Sequence, residues 1–358
     1  MSELLEVDKL QEAVLDGYVV DPSEALFLYQ KTDLITLGKI ADELKTKTKG
    51  DQIATYLIDR NINYTNICVT YCKFCAFYRE EGNSEGYVHS ITEIIDRVAE
   101  AKKKSATQIL LQGGHHPSLT LEWYCKLLSE IKHKYPEMTL HAFSPPEIIH
   151  FSQLFGMSIQ EILGKFKECG MDSMPGGGAE ILVDSVRRKI APLKANTDEW
   201  LSVMKALHEL GMKSTATMMF GHVETIEERI EHIFRIRELQ ELTHGFLGFI
   251  PWLYQPGNES LGLLSASGQE YLKTVALSRV ILNHCLDNIQ ASWVTPGKKI
   301  GQLGLKFGAN DLGSIMLEEN VVSSTGTHYK MDVQEMRRLI QEMGFEPKQR
   351  NTFYEFVN

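Results

Sequence analysis

The sequence predicts an α/β barrel in which eight parallel strands alternate with helices, preceded by a helical extension. From Asn61 onward, short apolar or β-branched runs alternate with longer amphipathic stretches, and eight such strand–helix units follow one another. Eight parallel strands are the number that closes a (β/α)8 barrel. In addition, glycine-rich, cysteine-rich and polar segments repeatedly follow the candidate strands. That is where barrels of this kind carry their working residues.

The predicted strands alternate with amphipathic helices along the whole barrel region. The strands are Ile62–Val69, Thr107–Leu111, Thr139–Phe143, Asp172–Pro175, Ser214–Phe220, Phe246–Ile250, Ile289–Val294 and Leu312–Met316. The helices are Thr92–Lys103, Leu121–Lys134, Ile159–Cys169, Asp198–Leu210, Ile226–Leu242, Gln269–Leu286, Lys299–Phe307 and Val333–Met343. Glycines crowd the fourth strand, which weakens it as a strand.

The N-terminal region is predicted to be helical and separate from the barrel. We expect an extension over residues 1–50 and one barrel domain over residues 51–358, because no repeat or low-complexity linker divides the chain. Pro22-Ser23-Glu24 starts one helix, and apolar residues at helical spacing predict another from about Thr36 to Lys45. Residues 46–50 then form its basic end. We expect the extension to pack under the barrel as a cap.

Composition limits the class of protein. A hydrophobic content of 43% and a charged content of 23% are typical of a globular protein. The acidic N-terminus lacks the regions of a signal peptide, and no apolar run approaches the ~18 residues that span a bilayer. Six cysteines, half of them in one loop, argue against a disulfide framework and for a reducing compartment. The net charge of −10 disfavours nucleic acid or an anionic membrane as a partner, so we expect a cytoplasmic protein.

Three cysteines lie close together after the first predicted strand. Cys68, Cys72 and Cys75 form a C-x3-C-x2-C array. Soft thiolate ligands select iron–sulfur clusters, zinc or Cu(I). A closed structural zinc site needs a fourth ligand, and no second C-x2-C pair follows. A cubane cluster usually has four thiolates, so three would leave one iron open for chemistry.

This loop, with Phe74 before its last cysteine, resembles the signature loop of the radical S-adenosylmethionine (SAM) superfamily. The resemblance implies the TIM-type barrel of that superfamily. It also implies that Cys68, Cys72 and Cys75 bind a 4Fe–4S cluster, whose open iron binds the amino and carboxylate groups of SAM, and that Phe74 helps to hold the adenine. The alternative is a structural zinc site in a barrel without redox chemistry, which predicts a colourless protein.

Further SAM-binding residues are expected after the second and third strands. Gln112, Gly113 and Gly114 follow the second strand. Glycines let the backbone approach a ligand closely, and exposed amides can bind a carboxylate. The superfamily has a glycine-rich segment here for the methionyl end of SAM. Ser144 and Glu147, after the third strand, resemble polar residues near SAM in related proteins.

The segment after the fourth strand contains the remaining cofactor-binding candidates. Gly176–Gly178 predict a backbone pressed against a cofactor or substrate. By resemblance, Glu180 accepts hydrogen bonds from the ribose hydroxyls of SAM. One of Arg187, Arg188 and Lys194 is expected to pair with a carboxylate, for which a guanidinium is suited. We assign that role to Arg188.

Longer segments resemble one subgroup of the superfamily. They are Cys72–Arg79, His141–Glu147, Asp172–Ile181, Phe220–Thr225 and Phe249–Trp252. The subgroup contains the two radical SAM enzymes of the futalosine route to menaquinone and the deazaflavin synthase subunits. The first and last of these segments most resemble the cyclase of the futalosine route, and aminofutalosine synthase is the alternative.

The resemblance implies a reaction and a partner. Flavodoxin or ferredoxin would reduce the cluster, and cleavage of SAM would yield a 5′-deoxyadenosyl radical that removes the C4′ hydrogen of a benzoate-linked ribose. The resulting carbon radical would close onto the substrate's own ring. The protein supplies placement, water exclusion and a base. We expect His116 and Tyr78 to be the catalytic side chains, with Tyr78 also lining a dry pocket.

Overall fold

Strands and helices alternate along most of the chain in the computed structural model, which describes residues 2–257 and 261–357, and only the backbone of residues 2–5. The strands are β1 (Ile53–Leu57), β2 (Asp59–Asn63), β3 (Gln108–Gln112), β4 (Thr139–Ala142), β5 (Ser173–Met174), β6 (Lys213–Phe220), β7 (Phe246–Leu253), β8 (Asp311–Ser314) and β9 (Glu346–Arg350). The helices are α1 (Ser2–Leu15), α2 (Pro22–Lys31), α3 (Leu34–Lys49), α4 (Ile91–Lys103), α5 (Leu121–Lys134), α6 (Pro145–Phe155), α7 (Ile159–Cys169), α8 (Asp184–Ile190), α9 (Thr197–Glu209), α10 (Ile226–Thr243), α11 (Gly268–Leu282), α12 (Lys298–Gly304) and α13 (Val333–Glu342).

Two parallel sheets surround one lumen. Six strands form a curved sheet in the order β2-β3-β4-β5-β6-β7, and a second sheet has the order β8-β1-β9. On one side, residues 289–290 bridge β7 to β8. On the other side, the amide of Leu317 donates to the carbonyl of Asp59 at 3.0 Å. The ring of strands is therefore closed, which confirms the predicted barrel.

The eight predicted strands occur in the predicted order, and the first and the seventh differ most from their predicted extent. The first lies at Asp59–Asn63 rather than Ile62–Val69, because the chain then leaves the sheet to form the cysteine loop. There, the hydroxyl of Thr65 donates to the carbonyl of Tyr87 at 2.6 Å instead of continuing a ladder. The seventh strand is reduced to the bridging residues 289–290.

The sequence does not predict β1 or β9. They pair in parallel from Ile53 opposite Glu346 to Leu57 opposite Arg350. The residues of β9, Glu-Pro-Lys-Gln-Arg, have no apolar run of the kind that signals a strand. β9 covers the N-terminal end of the barrel and brings Arg350 into the lumen.

The N-terminal extension contains α1 in addition to the two predicted helices. As predicted, α2 begins at Pro22, and a reciprocal capping box of Asp21 and Glu24 fixes its start. α3 is longer than predicted and reaches Lys49. It packs against α11, so the extension continues the outer helical layer and does not cap the barrel end, which β9 covers. The domain division at residue 50 stays a prediction.

Two short helices after β4 and β5 position the candidate site. α6 begins with Pro145 directly after β4, and proline suits the first position of a helix because it needs no amide partner there. α8 buries Val186, Arg187 and Ile190. The inner faces of the helices and the strands form one continuous apolar core. Of the helices that the structure describes, none has both the length and the apolar character needed to cross a membrane.

Candidate active site

The cysteine loop follows β2 and folds back on itself. Cys72 is buried, Cys68 and Cys75 are partly buried, and all three thiols are free. The amide of Cys75 donates to the carbonyl of Cys72 at 3.1 Å, which forms a tight turn. The amide of Cys68 donates to the carbonyl of Arg79 at 3.0 Å, so the two ends of the loop are held together. The loop thus gathers three thiols at the C-terminal end of the barrel.

The three thiols are close enough to affect one another electrostatically. Burial raises the pKa of Cys72 to about 12, the ammonium of Lys194 opposes this, and the thiols of Cys75 and Cys68 raise it further. Such a buried thiol is neutral unless a cation replaces its proton. A bound metal converts coordinating thiols to thiolates. Three adjacent thiols fit an iron–sulfur cluster with one open iron.

Gly113 and Gly114 follow β3 directly and pack against the chain at the start of the cysteine loop. A Cβ atom at Gly113 would lie 2.4 Å from the ring of Tyr64. At Gly114 it would lie 2.2 Å from the carbonyl oxygen of Ile67 and 2.9 Å from the Cβ of Cys68. A larger residue at either position would push the cysteine loop outward. Close backbone approach is therefore required here, and it brings the glycine segment against the cysteine loop.

Glu147 organises the hydrogen bonds behind the glycine segment. Its carboxylate accepts from the hydroxyl of Tyr64 at 2.6 Å, the hydroxyl of Ser144 at 2.6 Å and the amide of Gly113 at 3.2 Å. Burial nevertheless raises the pKa of Glu147 to about 7, although these three donors favour the charged form. Ser144 is buried and is held by this carboxylate. The prediction that it contacts SAM stays a prediction.

Glu180 and Lys194 form a buried ion pair beside the cysteine loop. The Nζ atom of Lys194 lies 2.7 Å from Oε1 of Glu180, and 5.5 Å from the centre of the Phe74 ring. Burial alone would raise the pKa of Glu180, but Lys194 and then Arg187 lower it. Glu180 is therefore ionised. Its backbone has φ +42°, a strained value for a residue other than glycine.

The structure does not bring Arg188 into this site. Arg188 is exposed on the outer face of α8, whereas Arg187 points inward and donates to the carbonyls of Gly178 and Ala195. Lys194 is the cation that pairs with the buried carboxylate. The assignment of Arg188 to cofactor binding is therefore corrected. Helical phase decides this, because Val186 and Ile190 face the core and leave Arg188 outside.

The glycines Gly176–Gly178 have a packing role that the sequence analysis did not recognise. A Cβ atom at Gly176 would lie 2.7 Å from the carbonyl oxygen of Thr215, and one at Gly178 would lie 2.4 Å from Pro146. The loop is thus pressed against β6 and α6. Gly177 and Gly178 also line the lumen cavity. The prediction that this backbone contacts a cofactor or substrate stays a prediction.

A cavity of about 280 Å³ occupies the barrel lumen. Gln112, Gly177 and Trp252 line it near the C-terminal ends of the strands, and Asp59 and Arg350 line it toward the opposite end. Polar and apolar residues line the cavity in nearly equal numbers. Such a cavity suits a small molecule that has both apolar and hydrogen-bonding parts.

The two predicted catalytic side chains lie outside the described lining of this cavity. His116 is buried, and its Nδ1 atom accepts from the amide of Ser118 at 3.2 Å. Tyr78 packs on Tyr71, with ring centres 5.7 Å apart, at the outer side of the cysteine loop. Their catalytic roles stay predictions. The aromatic ring of Trp252 does line the cavity.

Asp59 is a lumen residue that sequence reasoning missed. Its carboxylate accepts from the hydroxyl of Ser314 at 2.5 Å and from the side-chain amide of Gln108 at 2.9 Å. Burial raises its pKa to about 6, against the effect of these two donors. The local signal for Asp59 is weak, because its strand reads Asp-Arg-Asn-Ile-Asn with one apolar residue, and the predicted first strand begins only at Ile62.

Comparison with known proteins decides the family. A sequence profile of the radical SAM superfamily matches residues 62–236, and a profile described as the CofH/MqnC C-terminal region matches residues 243–358. The chain is 41% identical to the cyclic dehypoxanthine futalosine synthase of Halalkalibacterium halodurans, over 99% of this chain and 95% of that protein. The chain belongs to the radical SAM superfamily.

Other proteins that the chain is similar to are named for different activities. The chain is 44% identical to 5-amino-6-(D-ribitylamino)uracil–L-tyrosine 4-hydroxyphenyl transferase 1 of Methanosarcina barkeri, over 90% of this chain and 86% of that protein. A crystal structure of methylornithine synthase superposes with a TM-score of 0.71, covering 94% of this chain and 97% of the other at 18% identity. At that identity the superposition supports the fold alone.

Membership of the superfamily implies a 4Fe–4S cluster and SAM, and the residues present fit both groups. The cluster requires three thiols that a metal can deprotonate, which the cysteine loop supplies. A nucleoside with ribose hydroxyls requires a buried, ionised acceptor, which Glu180 supplies beside Phe74. The glycine segments allow close approach of a ligand to the backbone.

Proposed function

We propose that this radical SAM enzyme is a cyclase that converts dehypoxanthine futalosine to cyclic dehypoxanthine futalosine in menaquinone biosynthesis. The observation that carries the proposal is the alignment with the cyclase of H. halodurans, which covers 99% of this chain and 95% of that protein. The lumen supports it, because its lining combines apolar and polar residues, and the substrate has an aromatic ring at one end and a hydroxylated ribose at the other.

Cys68, Cys72 and Cys75 would hold the 4Fe–4S cluster. Together with bound SAM, the reduced cluster supplies a 5′-deoxyadenosyl radical that can remove the C4′ hydrogen atom from the substrate. Phe74, Gln112, Gly113, Gly114, Ser144 and Glu180 are proposed to form the SAM site. Lys194 replaces Arg188 as the cation of this site, since it pairs with Glu180 at 2.7 Å.

The chain's own groups orient the two ligands. Glu180 is kept ionised by Lys194, so it can accept hydrogen bonds from ribose hydroxyls in a site that excludes water. Gln112 is placed between the glycine segments and the lumen, since its side-chain nitrogen lies 2.6 Å from where a Cβ of Gly177 would be. A ligand at the glycine segments is therefore adjacent to a substrate in the lumen.

After ring closure the substrate's ring carries a radical, and it regains aromaticity by losing one proton and one electron. Asp59 is the proposed acceptor of the proton, and the oxidised cluster would accept the electron. Burial lowers the pKa of His141 in the lumen to about 3 and raises that of Asp59 to about 6. The Nδ1 atom of His141 is also engaged with the hydroxyl of Ser173 at 2.8 Å. A base acts best when its pKa lies near the working pH, which favours Asp59.

A second candidate is the 4-hydroxyphenyl transfer to a ribitylaminouracil named for the M. barkeri protein. The observation that favours it is the identity of 44%. Aminofutalosine synthesis is the third possibility, because the chain's segments resemble a subgroup that contains aminofutalosine synthase as well as the cyclase. All three reactions use the same cluster and SAM chemistry, so the substrate must be identified by its product.

Labelled substrate separates the three reactions. Anaerobically reconstituted protein is incubated with SAM, dithionite and dehypoxanthine futalosine carrying deuterium at C4′. We expect 5′-deoxyadenosine with one deuterium, together with the cyclic product, by mass spectrometry. Parallel incubations contain the substrates of the other two reactions. An adduct of tyrosine with the ribitylaminouracil would assign the 4-hydroxyphenyl transfer instead of the cyclase. An adduct of the adenosyl group with an enolpyruvyl benzoate would assign aminofutalosine synthesis.

The electron donor is proposed to be flavodoxin or ferredoxin. Both are small proteins that carry single electrons, and a 4Fe–4S cluster accepts one electron at a time. The other partner is the small-molecule substrate itself.

A further inference from the structure

We propose that an exposed patch beside the cysteine loop docks a small acidic protein that delivers single electrons. The patch, called here the basic patch, consists of Tyr71, Lys73, Arg188, Lys189 and Leu193. The inference rests on the proposed function, because a cluster that cleaves SAM must be reduced for each turnover. It adds the surface of this chain on which the donor binds.

Two chain segments are held together at this place. The amide of Lys73 donates to the carbonyl of Ile190 at 2.8 Å, which joins the cysteine loop to the end of α8. Lys189 and Arg188 are the residues immediately before Ile190. A second contact joins the same segments, since Nζ of Lys194 lies 5.5 Å from the Phe74 ring centre. The cysteine loop and the end of α8 therefore adjoin, and the five residues of the patch lie on these two segments and just after α8.

The patch combines positive charge with exposed apolar area. Lys73, Arg188 and Lys189 are exposed. The side chain of Leu193 is 65% exposed and that of Tyr71 is 42% exposed. Apolar and aromatic groups surrounded by polar, charged ones are typical of protein–protein interfaces. Nothing in the local fold buries Leu193, although it directly precedes the buried Lys194.

Charge identifies the kind of partner. The chain has a net charge of −10, so an acidic protein is repelled by most of the surface and attracted only where cations cluster. Two acidic residues adjoin the patch: Asp184 interacts with Arg188, and Glu80 interacts with Tyr78, which packs on Tyr71. Three exposed cations on two joined segments still leave the patch positive.

The position of the patch explains why its partner should be an electron carrier. Lys73 lies between Cys72 and Cys75 in the loop that would hold the cluster. A protein bound to Lys73 and to the end of α8 is therefore in contact with the segment that ligates the iron.

Charge reversal tests the patch on the reconstituted holoenzyme. The variant is Arg188→Glu/Lys189→Glu, and the matched control is Lys103→Glu/Lys104→Glu. The control makes the same change in charge at exposed lysines that follow α4, toward the N-terminal ends of the strands. Oxidised flavodoxin is the probe, and its affinity is measured by calorimetry at several salt concentrations.

The two variants should behave differently. We expect the patch variant to bind flavodoxin at least about tenfold more weakly and to show a smaller dependence on salt, while the control retains wild-type affinity. Turnover driven by flavodoxin should fall with the affinity, whereas turnover driven by dithionite should stay at the wild-type rate. Leu193→Ala should weaken binding without changing the salt dependence.

The opposite results would overturn the inference. Wild-type affinity for flavodoxin in the patch variant, or an equal loss in both variants, removes the basic patch as the docking site. If a ferredoxin responds in the same way as flavodoxin, the patch serves acidic donors of both kinds. Absence of the cyclic product from wild-type protein with dithionite contradicts the proposed function instead, and the binding measurement remains independent of it.

Discussion

Two buried glutamates near the cysteine loop have pKa values shifted in opposite directions: that of Glu180 is lowered and that of Glu147 is raised. Glu180 is kept ionised by Lys194, whereas Glu147, which is equally buried, has no cation in direct contact and has a raised pKa. Burial penalises the charged form of both residues, and only an adjacent opposite charge reverses the shift. The two carboxylates can therefore do different work: one accepts hydrogen bonds as an anion, and the other holds the glycine segment.

The first prediction concerns Glu180. Glu180→Gln keeps the shape of the side chain and removes its charge, so the hydrogen bonds to ribose hydroxyls lose about 1.5–3 kcal/mol. We expect SAM affinity to fall by roughly one to two orders of magnitude. Calorimetric titration of anaerobic protein measures this, with Glu199→Gln on the outside of the barrel as a control. Wild-type affinity in Glu180→Gln would remove Glu180 from the SAM site.

The second prediction concerns the pH dependence caused by Glu147. Its pKa rises on folding from the ordinary value of 4.5 to about 7. The stability it contributes is thus fully present below pH 4.5 and is lost as the pH rises to about 7. This corresponds to about 3 kcal/mol. In urea unfolding, Glu147→Gln should gain stability relative to wild type across that range, and a pH-independent difference would contradict the raised pKa.

The third prediction tests Asp59 as the proton acceptor. Asp59→Asn keeps the contact to Ser314 but cannot take up a proton. We expect it to form 5′-deoxyadenosine while yielding at least tenfold less cyclic product per nucleoside formed, since general base catalysis typically contributes about 10²–10⁴. In wild type this ratio should rise with pH near 6, where Asp59 ionises. Other charged or titratable side chains that face this region are Arg350, Asp311 and His141. They are unchanged in Asp59→Asn, so they affect both proteins alike.

An unchanged ratio in Asp59→Asn would exclude Asp59 as the base. Loss of 5′-deoxyadenosine together with the product would indicate a structural role instead. Gln108→Leu, which removes the other donor to Asp59, is the control for loss of packing at the same position.

At the scale of elements, β9 gives the barrel its closed N-terminal end. Arg350 at its end donates to Asp311 of β8 through Nε at 2.5 Å and a terminal nitrogen at 3.0 Å. Both side chains are buried, and the ring of Tyr354 covers the guanidinium at 3.8 Å. This pair fixes β9 against β8 across the intervening β1. The guanidinium is fully engaged, so it serves the fold rather than a substrate carboxylate.

The fourth prediction follows from this ion pair. Arg350→Met leaves the carboxylate of Asp311 buried without its cation, which costs about 3–5 kcal/mol of unfolding free energy. The double variant Arg350→Met/Asp311→Leu removes both charges and should regain part of that loss. Urea unfolding of both proteins measures the difference. Equal stability of wild type and Arg350→Met would show that β9 is held by its backbone pairing alone.

At the scale of the whole molecule, the fold and the cofactor site are separable. The core consists of apolar side chains from the strands and surrounding helices, and of the three cluster cysteines only Cys72 belongs to it. Backbone hydrogen bonds attach the cysteine loop at its two ends, and the amide of Lys73 joins it to the end of α8. The barrel should therefore fold whether or not the cluster is assembled.

The fifth prediction tests this separation. Cys72→Ala should remain soluble with a wild-type circular dichroism spectrum, since a single thiol at the edge of the core is lost. It should bind less iron and fail to cleave SAM, whereas reconstituted wild-type protein should be brown with about four iron and four sulfide per chain. Iron and sulfide analysis decides. Stoichiometric zinc without sulfide in wild type would contradict the cluster assignment.

Local sequence was sufficient for the order of the elements and for the cysteine loop. The spacing of Cys68, Cys72 and Cys75, and the alternation of apolar patterns, depend only on neighbouring residues. Segments with weak local signals were missed for the same reason. β9 has no apolar run, and the stretch from Ile53 to Leu57, at the start of the predicted barrel domain, is recognised as a strand only once β8 and β9 are placed beside it.

The sequence by itself determined the fold class, the strand order and the three thiols, because periodicity and ligand spacing are properties of consecutive residues. Only the tertiary structure decided which distant side chains meet. Lys194 rather than Arg188 pairs with Glu180, and Tyr64 reaches Glu147 across 83 residues of chain. Such pairs depend on barrel register and helical phase. Those quantities are fixed by the packing of all strands together and cannot be obtained from any single segment.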